Sequence, residues 1–115
     1  MAEWAARIED APPGPSLIIA NEFFDALPIR QFQRAGLGWR ERLVGLSSEA
    51  LSFGLGPVVP IADLTDRLAD TAQGDIVEIC PQAPAIMAEI AARMTDQGAA
   101  LIIDYGGWHS LGDTF

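Results

Sequence analysis

The sequence predicts an α/β fold in which a buried parallel sheet is accompanied by an antiparallel hairpin. Three stretches carry that reading. Leu17-Ile18-Ile19-Ala20 and Ala99-Ala100-Leu101-Ile102-Ile103 are short, wholly apolar runs bounded by turn-forming residues. Such runs mark strands covered on both faces, as in parallel sheets. Between them Ala83, Ile86, Met87, Ile90, Ala91 and Met94 recur at helical spacing, the stripe of a helix that packs on a sheet.

The apolar runs end in polar clusters. Leu17–Ala20 runs into Asn21-Glu22-x-x-Asp25, and Ala99–Ile103 into Asp104-Tyr105-Gly106-Gly107. Burying a bare carboxylate is very costly, so these residues belong where the chain leaves the sheet. In open α/β sheets that rim is where ligands sit. Parallel and adjacent, the two strands would gather three carboxylates, an amide and a phenol in one crevice. Carboxylates there accept from an amine or guanidinium, or act as bases where burial raises their pKa. Gly106-Gly107 permits close backbone approach. A plainer reading stands beside this one. Asn21 and Asp25 also suit a helix cap and a turn, and Asp104 also suits the start of a loop.

The remaining elements follow in order. Trp4, Ala5 and Ile8 share a helical face, which predicts the last turns of a helix before Pro12 and Pro13 stop it. Asn21 is a good N-cap for one or two turns over 22–27, ended by Pro28. Residues 29–45 read as an antiparallel hairpin turning at Gly36-Leu37-Gly38, with Trp39, Glu41 and Leu43 on one face. Its arginines, Arg30, Arg34, Arg40 and Arg42, read as a solvated face. Leu51–Phe53 adds a short strand that Gly54-Leu55-Gly56-Pro57 breaks. Ile61, Leu64, Leu68 and Ala72 predict a short amphipathic helix. Asp75–Ile79 is a strand whose Glu78 bars burial on both faces, so it joins the hairpin. Glu78 is read as exposed, or as bonded to a loop. The second helix starts near Pro81 and ends at Gly98, where a left-handed cap is expected.

Composition narrows the function. Sixteen acidic against seven basic residues give a net charge of −9, which disfavours nucleic acid and suits a cationic partner. The single Cys80 excludes an internal disulfide and a multi-cysteine metal site. It precedes a helix N-terminus but reads as a half-buried, inert thiol. No apolar run is long enough to span a membrane, and the first ten residues are too acidic for a secretory signal. His109, beside Trp108, is the one histidine and reads as a solvated loop residue. No set of ligands with metal-binding spacing lies on one element, so no metal is expected. No glycine-rich G-x-G turn follows either of the two apolar strands.

Asn21-Glu22-Phe23-Phe24-Asp25-Ala26-Leu27-Pro28, Trp39-Arg40-Glu41, Glu78-Ile79-Cys80-Pro81 and Ile103-Asp104-Tyr105-Gly106 resemble, in this order, the MidA-type family. These are class I S-adenosylmethionine-dependent methyltransferases of bacteria and mitochondria, and the resemblance runs over nearly the whole chain. It implies a partial Rossmann-like methyltransferase sheet with an antiparallel hairpin insertion. Residues 1–115 would be the C-terminal-side portion of the catalytic domain, with 29–79 inserted between the fourth and fifth strands. It implies S-adenosyl-L-methionine as cofactor, with the main cofactor loop outside this chain and the isolated chain inactive. It further implies a protein-arginine substrate on a subunit of respiratory complex I. Glu22 and Asp25 would be catalytic, Asn21 would lie beside the cofactor, and Asp104 and Tyr105 would lie beside the substrate. The setting would be the cytoplasm in a bacterium and the mitochondrial matrix in a eukaryote. An exposed sheet edge predicts self-association. Two rivals use the same residues differently. One is a non-catalytic interaction module built on the hairpin 29–45. The other is a hydrolase-type α/β enzyme using Glu22, Asp25 and His109, with or without a metal.

Overall fold

The computed structural model describes residues 1–94, 97–107 and 112–114. The described residues group into two units, one drawn from Met1–Pro28 and Cys80–Trp108, the other from Ile29–Ile79 and His109–Phe115. Trp108 and His109 lie outside the described residues.

The first unit holds β1 (Leu17–Asn21), α1 (Ala83–Arg93) and β6 (Ala99–Ile103). β1 and β6 pair in parallel from Leu17↔Ala99 to Asn21↔Ile103, as the two apolar runs predict. Their faces are less covered than expected. Ile18 and Ala20 are half-buried, but Leu17, Ile19 and all of β6 are exposed. Only α1 and a 3-10 turn, Ile8–Asp10, flank the pair among the described residues. The N-terminal helix is not formed either. Ile8–Asp10 is a single 3-10 turn instead, and no side chain caps it.

α1 begins at Ala83 rather than Pro81, with Pro84 in its first turn, where a missing N–H costs nothing. Arg93 pairs with Glu89 at 3.1 Å and donates to the carbonyls of Pro12 and Ala11, which ties the helix to the N-terminal segment. Beyond α1 the left-handed residue is Gln97, with φ of 66°, not Gly98. Gly98 is needed for space instead. A Cβ there would stand 2.6 Å from the Arg93 carbonyl oxygen and 3.0 Å from that of Ser16.

The second unit is a four-stranded antiparallel sheet in the order β4-β3-β2-β5. It comprises β2 (Arg30–Ala35), β3 (Gly38–Ser47), β4 (Ala50–Val59) and β5 (Ile76–Ile79). The predicted hairpin is β2–β3, closed by Gly36 at φ of 61°, and β5 joins β2 as Glu78 required. Phe32, Trp39, Leu64 and Val77 form its core, with Ile61, Leu68 and Ile79 packed against them. Leu64 arrives on one of two consecutive 3-10 turns, Ala62–Leu64 and Asp66–Leu68, in place of the predicted helix. Ile61, Leu64 and Leu68 face the core as the spacing predicts, while Ala72 is exposed. Thr65 and Thr71 donate their hydroxyls to the carbonyls of Ala62 and Arg67, a local competition that suits short turns.

β4 runs through Gly54-Leu55-Gly56-Pro57 instead of breaking there. Its register slips between Arg40 and Arg42, so Gly56 and Pro57 sit in a bulge on an outer strand, where proline removes no ladder bond. The hairpin arginines are not a uniform solvated face. Arg30 is exposed and bidentate to Glu41 at 2.7 and 2.9 Å. Arg34 is buried, its guanidinium 5.7 Å from the Trp39 ring centroid. Arg40 donates to the carbonyls of Gly56 and Leu55, and Arg42 pairs with Asp113 at 2.9 Å. Glu78 takes its loop-bonded reading. It accepts from Gln31 and from the backbone N–H and hydroxyl of Thr114.

Candidate functional site

The shared register of β1 and β6 brings both polar clusters to one rim. Asn21 is the last ladder residue, opposite Ile103, so it caps no helix. The ladder gains one more bond, from the Glu22 N–H to the Ile103 carbonyl at 2.8 Å. There the chain turns sharply, because Glu22 takes a left-handed backbone with φ of 51°. For a residue with a Cβ that conformation costs roughly 1–2 kcal/mol. Residues 22–27 form a single turn, closed by the Leu27 N–H on the Phe24 carbonyl at 3.2 Å, rather than helix. That turn brings Asp25 back toward Glu22.

Asp104 follows directly from the end of β6. One carboxylate oxygen from each of Glu22, Asp25 and Asp104 lies within 4.8 Å of the others. Asp25 and Asp104 are exposed, while Glu22 is half-buried and its Oε1 is sealed without a hydrogen-bond partner. Burial pushes the Glu22 carboxyl above its ordinary value. Its contact with Asp25 and the charges of Asp25 and Asp104 push it further, and the Tyr105 backbone amide pulls the other way. This is the environment in which a carboxyl acts as a base or holds a cation. Tyr105 is beside the cluster in sequence and highly exposed. A Cβ at Gly106 would meet nothing, so the fold itself does not require glycine there.

Beside the rim lies a groove of about 1010 Å³ walled by β1, residues 5–11 and α1. Asn21 lines it, with Ile18, Phe23, Leu27, Ile86 and Ile90. The sequence reading missed this groove. Its only signal was that Phe23 and Leu27, beside the acidic cluster, are apolar with no periodicity to bury them. The predicted residues Asn21, Glu22, Asp25, Asp104 and Tyr105 thus share one unit and one rim, whereas the rival role for His109 falls on a residue outside those described.

Residues 1–114 match the model of a family described as "Putative S-adenosyl-L-methionine-dependent methyltransferase". The chain belongs to this family. It is 43% identical over 97% of its length to "Protein arginine methyltransferase NDUFAF7, mitochondrial" of Danio rerio, and 39% identical over 97% to the human protein of that name. A solved structure of a COG1565 superfamily member from Burkholderia thailandensis, bound to S-adenosyl-homocysteine, superposes with a TM-score of 0.66 at 33% identity. That match covers 85% of this chain and 26% of that one. The chain spans about a quarter of the length of these relatives. The sequence resemblance and the α/β class agree with these matches. No helix among the described residues is long and apolar enough to cross a membrane.

Proposed function

We propose that this chain is the substrate-side portion of a protein-arginine N-methyltransferase whose target is a subunit of respiratory complex I. One observation carries the reading: Glu22, Asp25 and Asp104 converge at the tips of two parallel strands. Three carboxylates within 4.8 Å repel one another unless a cation joins them, and a guanidinium matches carboxylates in both charge and hydrogen-bond geometry. Methyl transfer also needs the nucleophilic nitrogen held in line and relieved of a proton.

Glu22 and Asp25 fill those roles in this proposal. Asp25 and Asp104 hold the cation from the solvent side. Glu22, whose carboxyl is pushed up by burial and crowding, takes the proton as the nitrogen gains its methyl group. Tyr105, exposed beside them, flanks the entering substrate.

The residues present fit part of the cofactor. Asn21 sits at the last ladder position and lines the groove, and with Glu22 it would hold the methionine end of S-adenosyl-L-methionine, which supplies the methyl group. Neither β1 nor β6 runs into a G-x-G turn, and Gly36-Leu37-Gly38 closes a hairpin of the other sheet, so nothing in these residues supports a cradle for the rest of that molecule. Relatives named mitochondrial support the matrix as the setting of a eukaryotic homologue. The net charge of −9 supports a basic protein substrate over nucleic acid. An unpaired strand edge supports self-association. The test is Glu22→Ala in a full-length protein carrying this segment. Methyl transfer to an arginine peptide is expected to vanish while the protein stays folded, its melting temperature no lower than the wild type's. A wild-type rate removes Glu22 from the mechanism.

A further inference from the structure

The β3–β4 hairpin outruns the rest of its sheet. β2 stops pairing at Gln31↔Arg42, so among the described residues Leu43–Ser47 and Ala50–Gly54 pair only with each other. They turn at Ser48 and Glu49, both left-handed, with φ of 48° and 69°. A lone two-stranded ribbon is marginal in water. One face of this ribbon is apolar. Val44 stands opposite Phe53, and Leu46 opposite Leu51. Val44, Leu46 and Leu51 are 61%, 74% and 78% exposed. Phe53 is held at the base, with the Arg42 guanidinium 4.0 Å from its ring centroid. Among the described residues β4 is also the outermost strand of the sheet, with no strand paired to its far edge.

We infer that a second copy of this chain docks on the ribbon, β4 against β4 in antiparallel, joining two four-stranded sheets into one. Charge selects the occupant. A chain of net charge −9 repels its own copies over most of its surface. Among residues 43–58 the one charged side chain is Glu49, at the tip. This ribbon is where two copies approach with the least repulsion, and a basic partner gains no ion pair along it. Symmetry agrees, since identical edges paired in antiparallel close on a two-fold axis. Outer strands are commonly guarded by charges, proline or a bulge. Here the proline and the bulge sit at Pro57 and Gly56, the inner end, which leaves Ala50–Leu55 open to pairing. The edge that self-associates therefore belongs to the antiparallel sheet and not to β1.

Sedimentation equilibrium of the 115-residue chain, from micromolar to near-millimolar, tests this. A monomer–dimer equilibrium is expected. Leu46→Thr with Leu51→Thr keeps strand propensity while removing the apolar face. It should raise the dimer dissociation constant by about tenfold or more with the far-ultraviolet circular dichroism unchanged. Ile19→Thr, on β1, should leave dimerisation as it was. If the double variant fails to fold, Val44→Thr is read in its place, with the same direction expected. A monomer mass throughout overturns the inference. So does a dimer that survives the ribbon variants, or one lost only on Ile19→Thr. Binding of the monomer to neutral lipid vesicles through Leu46 and Leu51 would overturn it in favour of a membrane surface.

Discussion

Among the described residues, four of the five buried apolar side chains, Phe32, Trp39, Leu64 and Val77, lie in the antiparallel unit. The fifth, Ile90, lies in the unit of β1 and β6, which holds all three converging carboxylates. One region therefore carries most of the sealed core and the other carries the converging carboxylates. Burial drives folding at roughly 25 cal/mol per Å² of apolar surface, so the inserted sheet has the means to hold itself together. The site-bearing strands keep Leu17 and Ile19 largely in water and have far less to hold them. A site of like charges adds repulsion to the region least equipped to absorb it, which is the expected signature of residues arranged for a ligand and not for stability.

The contrast is open to direct tests, beginning with the largest effect. Trp39→Ala should cost about 3–5 kcal/mol in urea unfolding and should remove hydrogen-exchange protection across β2, β3 and β5. Protection that persists would show that the core lies elsewhere. Ile90→Ala should cost less, about 2 kcal/mol, at the low end for buried aliphatics because its surroundings are open enough to collapse. A larger loss than at Trp39 would invert the comparison. The Arg42–Asp113 pair, partly exposed at 19% and 37%, should show a coupling of about 1 kcal/mol in a double-mutant cycle with Arg42→Met and Asp113→Ala.

The smallest effect falls at the site and has a characteristic pH dependence. The folded pKa of Glu22 is raised, so the folded state binds its proton more tightly than the unfolded state. Its favourable contribution is present below the ordinary glutamate range, near pH 4.3, and is lost as pH rises through the raised folded value. Glu22→Gln should therefore raise the melting temperature at pH 7, by less than the core variants lower it, and change nothing at pH 4. An equal effect at both pH values would mean that crowding at Glu22 is not electrostatic.

How far the chain could be read in advance follows the same division. Unbroken apolar runs ending in Asn21-Glu22 and Asp104 disclosed the paired strands and the convergence of their carboxylates, because a carboxylate has few places to go at the end of a greasy strand. Glu78 correctly sent β5 to the antiparallel sheet. Features set by partners distant in sequence stayed hidden. Pro57 looked like a break, since the bulge that accommodates it depends on Arg40 and Arg42 across the ladder. Arg34 looked solvated until Trp39 was known to lie beneath it. Gly98 looked like a cap, but its smallness serves the Arg93 and Ser16 carbonyls. The left-handed Glu22 had no sequence signal at all, being a bulky residue where glycine or asparagine is usual.

Arg30 and Ile79, where the inserted sheet begins and ends, are ladder partners, so their Cα atoms stand only about 5 Å apart. Fifty residues of chain thus leave and return through one doorway. To the polypeptide on either side, Pro28 and Cys80, the whole module counts as a short bridge. It can be shortened, decorated or exchanged for another hairpin-closed module while the connection it makes keeps the same span.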